Sequence, residues 1–299
     1  MSASKVLLPA LASLIVAQGV PARATAPQGE IVVEGQRTHS PVDDFVQKLT
    51  PSQNDQLSRF VEEVCPAVIG LSDDLANEVT GRIRLVASSV GTPIAKPRCS
   101  PNLVLLVVHD KQVAIQQLRQ RLPGLFADMQ TAEIHRLVDN PEPAASWQVS
   151  SRVGADGMPL SMVRIRKEDG NNDAVPLVRG GFLSRVNMQI MRRLNLALVV
   201  VEARALDQVD TRQLADYTAM RALAVGSSDV SNLPARSILQ LFNAGVSPLQ
   251  APESVTWWDY AFLKSLYRSS NRVEASNQRA QIAKMMASEL GKKVPAEQR

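Results

Sequence analysis

The sequence predicts an α+β domain with a mixed sheet that begins with a β-α-β unit and is followed by a C-terminal helical lobe. Three observations carry the prediction. Two apolar runs of strand length, Ala67–Leu71 and Leu103–Val108, flank an amphipathic helical stretch. Further strand-like runs follow up to Glu202. From Thr211 onward the periodicity is helical, and strands first with helices last is the signature of segregated layers.

Met1 to Ala24 has the parts of a secretory signal peptide. Lys5 supplies the positive start and Val6–Val20 the apolar stretch, while Ala22 and Ala24 are the small residues before a cut after Ala24. A membrane helix needs roughly 20 apolar residues, and this stretch is shorter and broken by Pro9, Ser13, Gln18 and Gly19. The mature chain is therefore expected to be periplasmic or secreted, without stable membrane insertion. Of 299 residues it keeps 275, and loss of Lys5 and Arg23 lowers the formal net charge from +4 to +2. Such a weak charge gives no electrostatic reason to bind nucleic acid.

Residues 25–51 contain Pro27, Gly29, Gly35, Pro41 and Pro51 and read as a flexible leader, with one short extended fragment at Glu30–Glu34. Residues 52–290 then form a single α+β domain, with its helical lobe from about 235 and a disordered tail at 291–299. Cys65 and Cys99 are the only cysteines, and in an exported chain an even count predicts a disulfide. Closing a loop of about 34 residues would contribute roughly 3–4 kcal/mol in the chain-entropy account. The competing use, a catalytic thiolate paired with His39, His109 or His135, conflicts with an oxidising compartment.

Within the domain, Ser72 is placed as the N-cap of a helix that runs to Val90, with Asp73 and Asp74 in its first turn and Gly91 ending it. Leu103–Val108 is unbroken and apolar, which predicts a strand covered on both faces. Strand, helix and strand in this span make the two strands parallel neighbours, with Cys65 and Cys99 both preceding strand starts. His109-Asp110 follows, and Asp110 is placed to cap a helix from Lys111 to Arg121 stopped by Pro123-Gly124. A second helix is expected over Thr131–Val138. Trp147–Val153 and Met158–Arg166 read as a hairpin about Gly154–Gly157, followed by a polar loop Lys167–Asp173. Strands at Phe182–Ile190 and Leu196–Glu202 precede helices at Thr211–Val225, Ala235–Phe242, Thr256–Tyr267 and Val273–Leu290.

Standard catalytic signatures are missing from the sequence: no nucleophile elbow, phosphate-binding loop, dinucleotide fingerprint or Cys-x-x-Cys. One arrangement remains, the strand Leu196–Val201, a link with Asp207 and Asp210, and the helix Gln213–Leu223. This order of elements resembles zincin-like metallopeptidases, in which strand, helix, strand, further strands and an edge strand lead into a helix carrying His-Glu-x-x-His. The later run Trp258-Asp259-Tyr260-Ala261-Phe262-Leu263-Lys264-Ser265-Leu266-Tyr267 is similar to a helix seen late in such domains. Aligning the family motif places Ala215 at the first His, Asp216 at the Glu and Ala219 at the second His. In the extended metzincin form, Ala222 takes the Gly position and Val225 the third ligand.

Zinc needs about three N, O or S ligands, and alanines supply none. The resemblance therefore implies a degenerate, zincin-like protein with no cofactor and no metal, whose former cleft borders Asp216 and Tyr217. Such a cleft would take a peptide or protein partner along a sheet edge. The alternative for the helix is an ordinary amphipathic one in which Ala215, Ala219 and Ala222 let the sheet approach closely. Alternatives for the whole chain are an enzyme using His109 with nearby carboxylates such as Asp110, and an envelope component tethered through residues 25–50.

Overall fold

The computed structural model describes residues 40–50, 56–154, 156–166, 172–177, 188–224, 230, 232–243 and 246–292. The expected signal peptide with its expected cut after Ala24, the part of the expected leader before Ser40, residues 182–187 of an expected strand, Val225 and residues 293–299 lie outside them.

The fold is α+β with a mixed four-stranded sheet in the order β1-β2-β6-β3, where β1 is Pro66–Ile69, β2 Leu103–Val108, β3 Ala144–Gly154 and β6 Ile190–Glu202. The expected β-α-β unit is present. β1 and β2 are parallel neighbours, in register from Pro66 with Leu103 to Ile69 with Leu106, and α2 (Asp73–Ser89) joins them. Gly70 ends β1 with φ +95°, and a Cβ there would overlap the Val107 carbonyl oxygen of β2. Only glycine fits that close approach. β2 pairs in parallel with β6, from Leu103 with Ala197 to Val108 with Glu202. The disulfide joins Cys65 to Cys99 ahead of the two strands, and the Cys65 carbonyl accepts from the Asn102 amide at 3.0 Å.

The β2 side chains alternate between two cores, as an unbroken apolar strand requires. Leu103, Leu105 and Val107 face the layer that holds α2, α5 (Thr211–Leu223), α6 (Trp257–Arg268) and α7 (Ala275–Leu290). Leu106 and Val108 face α3 (Lys111–Arg121) and α4 (Thr131–Asp139), where Trp147 of β3 stacks on Phe126 at 5.2 Å. Asp110 caps α3 as expected, accepting from the Val113 amide at 2.9 Å.

Four expectations are corrected. Part of the flexible leader is a helix, α1 (Pro41–Leu49), fixed by a reciprocal Ser40/Asp43 capping box and burying Phe45, Val46 and Leu49. The Phe45 ring meets Trp258 and Phe262 edge-on at 5.4 and 6.0 Å. The strand expected from Leu196 starts earlier, at Ile190, since Arg192, Arg193 and Leu194 already pair with β3. The hairpin expected between 147–153 and 158–166 is reduced to its turn, with the isolated antiparallel bridge between Val153 and Pro159; β3 pairs along its length with β6, and β4 (Ser161–Arg166) pairs with β5 (Asn172–Leu177) as a separate ribbon. Gly154–Gly157 does turn the chain, with the Gly154 amide donating to the Met158 carbonyl at 2.8 Å. Lastly, the helix expected over Ala235–Phe242 shrinks to the 3-10 turn Ile238–Gln240, anchored by the buried Asp259 carboxylate, which accepts from the Ser237 hydroxyl and the Ile238 amide.

Candidate functional site

α5 is the helix on which the sequence focused, and it is enclosed along its length. Asp210 caps it by accepting from the Gln213 amide at 2.7 Å, and every residue from Gln213 to Leu223 is buried. Such enclosure requires each polar side chain to find a partner within the protein. Gln213 donates to the Pro248 and Pro252 carbonyls at 3.2 and 3.1 Å. Thr218 turns back to the Leu214 carbonyl at 2.7 Å.

Asp216 is fully buried and accepts from Arg82 Nε and Nη2 at 2.7 and 2.8 Å, a two-point grip from α2. Its Oδ2 also accepts from the Val255 amide at 2.9 Å, just ahead of α6. These carboxylate hydrogen bonds push the Arg82 guanidinium above its ordinary pKa. The expected cleft position of Asp216 is thereby corrected: it is a fully buried tie between α2, α5 and the approach to α6. Ala215, Ala219 and Ala222 are likewise fully buried in the core.

A cavity of about 130 Å³ does lie against α5, on another side. It sits across the outer edge of β3, between Tyr217 and Arg221 of α5 and Arg136 at the end of α4. Tyr217 was anticipated; Arg221 was not. At 3.6 residues per turn these two, spaced i,i+4, fall nearly opposite Ala215 and Ala219 on the helix. Arg221 is 8% exposed, its Nε donates to the Tyr217 hydroxyl at 3.1 Å, and its guanidinium lies 5.3 Å from the Tyr217 ring centre. Among the described residues the Tyr217 side chain is the only hydrogen-bonding or charge partner of that guanidinium. The Tyr217 ring is wedged edge-on against Phe242 at 4.8 Å, and burial pushes its phenol pKa up, so it stays a neutral hydroxyl. Ser146 of β3, Asn140 and Glu142 complete the polar lining.

The direction of the β3 main chain follows from one hydrogen bond. The Glu202 amide donates to the Pro143 carbonyl at 2.9 Å, and in an antiparallel ladder inward and outward residues alternate. With Ala144 opposite Val201 and Ser146 opposite Val199, Ala145 and Trp147 bond towards β6. Ala144 and Ser146 therefore turn their N–H and C=O groups outward, at the cavity. Among the described residues no strand pairs with this outer edge.

His109 is exposed at the end of β2 and lies outside the cavity. The carboxylates beside it are engaged elsewhere: Asp110 caps α3, and Glu202 accepts from the Lys111 amide and from Arg204. Lys111 is buried, its ammonium pushed below the ordinary range by that burial and held by the Asn140 and Glu142 carbonyls. Among the described residues no three His, Cys, Asp or Glu side chains gather in a group able to hold a metal ion. Among those residues, too, no helix is long and apolar enough to cross a membrane. No family model, curated protein or solved structure matches this chain.

Proposed function

We propose that this is an exported, non-catalytic protein with a degenerate metallopeptidase-like fold, which binds an extended peptide segment of a partner along the outer edge of β3. The observation that carries the reading is the pair of outward main-chain faces at Ala144 and Ser146, opening beside a cavity walled by Tyr217 and Arg221. Strand addition draws affinity from such unpaired main-chain groups and specificity from adjacent side-chain pockets. The order β1, α2, β2, then β6 leading into α5, followed by helices, supports the metallopeptidase likeness. Asp216, held by Arg82 and Val255, is not available as a general base, which supports a role without chemistry. The disulfide supports export.

The test is binding of extended peptides to the purified chain and to a Ser146→Pro variant. Proline at 146 removes an outward N–H together with the Ser146 hydroxyl and leaves the ladder to β6 whole. Loss of binding with unchanged folding is expected. Stoichiometric zinc together with peptide hydrolysis would overturn the non-catalytic reading, and full binding by Ser146→Pro the edge reading.

A further inference from the structure

Arg221 is the one feature of the cavity that packing leaves unexplained. A guanidinium carries five N–H donors in a planar fork suited to a carboxylate. Here it is more than nine-tenths buried, and among the described residues its only partner in hydrogen bonding or charge is Tyr217, through the hydroxyl on Nε and the ring face. The other buried or half-buried arginines of this layer do not share that condition. Arg82 grips Asp216 at two points, Arg84 donates to the Ala95 carbonyl, and Arg59 to the Leu266 carbonyl. A buried charge without an anion is costly, and such a group lining a cavity is poised for one brought by a ligand. The Tyr217 hydroxyl fixes Nε and orients the fork, while Arg136 adds a second positive charge from the α4 side. Glu142 lines the same cavity, and its Oε2 accepts from the Asn140 side-chain amide at 3.3 Å.

We infer that Arg221, oriented by Tyr217 and assisted by Arg136, is a receptor for a carboxylate, and that the peptide laid along β3 presents one there. This rests on the edge-binding reading and names the class of its ligand: an extended segment with an acidic group at the Ser146 level. The group is either the C-terminal carboxylate of the segment or an Asp or Glu side chain. A bidentate pair in so enclosed a place selects strongly, because a ligand lacking the carboxylate leaves the guanidinium unpaired.

The experiment compares an N-acetylated Thr-Val hexapeptide in three forms: the free acid, the C-terminal amide, and the amide with one Val replaced by Glu. Binding is read by calorimetry, and the Arg221 Nε–H resonance is followed by NMR while acetate is titrated. We expect the acid or the Glu-bearing amide to bind about 10- to 100-fold tighter than the plain amide, as charged hydrogen bonds do. Whichever binds more tightly identifies the source of the carboxylate. Arg221→Gln is expected to abolish the difference between the carboxylate-bearing peptides and the plain amide, and Arg221→Lys to restore part of it. Acetate is expected to shift the Arg221 signal saturably. Equal binding of all three peptides would overturn the carboxylate receptor and leave edge binding standing. A saturable acetate shift without peptide binding would do the reverse, and no response to either would remove both. The acid-to-amide comparison needs no variant, so it holds whatever Arg221→Gln does to folding.

Discussion

Replacing Arg82 by Ala should be among the most damaging single changes outside the hydrophobic core, and more damaging than replacing its partner. Asp216 is 0% exposed while the Arg82 side chain is 29% exposed, so the two ends of the pair have unequal recourse to water. Without Arg82, the Asp216 carboxylate keeps only the Val255 amide and is stranded, and breaking a buried pair in this way costs about 3–5 kcal/mol. Without Asp216, the Arg82 guanidinium reaches solvent, and the chief loss is an unpaired Val255 N–H and the hydrogen bonds themselves, about 1–3 kcal/mol. Urea unfolding at pH 7 with the disulfide intact, followed by Trp fluorescence and circular dichroism together, measures both variants. An Arg82→Met/Asp216→Leu double variant should recover most of the Arg82→Ala loss, since it removes the stranded charge. An Asp216→Ala variant less stable than Arg82→Ala, or an Arg82→Ala loss below about 1 kcal/mol, would refute the structural role assigned to this pair.

Three further outcomes follow from the same geometry. Phe45→Ala, which empties a fully buried site against Trp258 and Phe262, should cost about 3–5 kcal/mol by urea unfolding, which a loose leader would not show. Glu289 is held below its ordinary pKa, first by the Lys292 hydrogen bond and then by Lys264. A depressed carboxylate stabilises the fold above its unfolded value of about 4.3 and loses that contribution as pH falls through the folded value. Glu289→Gln should therefore cost roughly 0.5–1 kcal/mol at pH 7, small because Lys292 and Arg268 are mostly exposed, and nothing measurable near pH 3. Reducing the disulfide, or replacing both Cys65 and Cys99 by Ser, should lower the urea stability by roughly 3–4 kcal/mol, less if the reduced state retains structure.

The β-α-β unit was legible because local signals and burial agree there. Asp73 and Asp74 in the first turn, Gly91 at the end and the unbroken Leu103–Val108 each describe the same local structure. α1 was hidden by composition: Pro41 opens it and Pro51 follows it, yet Ser40 followed by Pro41 and Asp43 is a complete capping signal for a helix start. The length of β6 was hidden by chemistry. Arg192-Arg193 interrupts the apolar pattern and reads as a loop, while in the fold Arg192 is buried within 4.0 Å of Asp128 and Arg193 pairs with Glu62 at 2.6 Å. The site was half legible. Tyr217 came from a likeness of element order, but nothing local marks Arg221, because its burial depends on β3 and α4, far away in sequence. Asp216 drew attention as a carboxylate on the right helix, and only its long-range partner Arg82 shows that it ties helices together.

The packing of α1 on α7 has a consequence for how the chain matures. Arg279 donates to the Thr50 carbonyl at 2.6 Å across 229 positions of sequence, and Phe45 and Leu49 are buried in the same layer as Ile282 and Met286. During synthesis the first helix emerges long before the surface that covers it. Until α7 has emerged, part of the apolar face of α1 has no cover, so this layer of the core closes late.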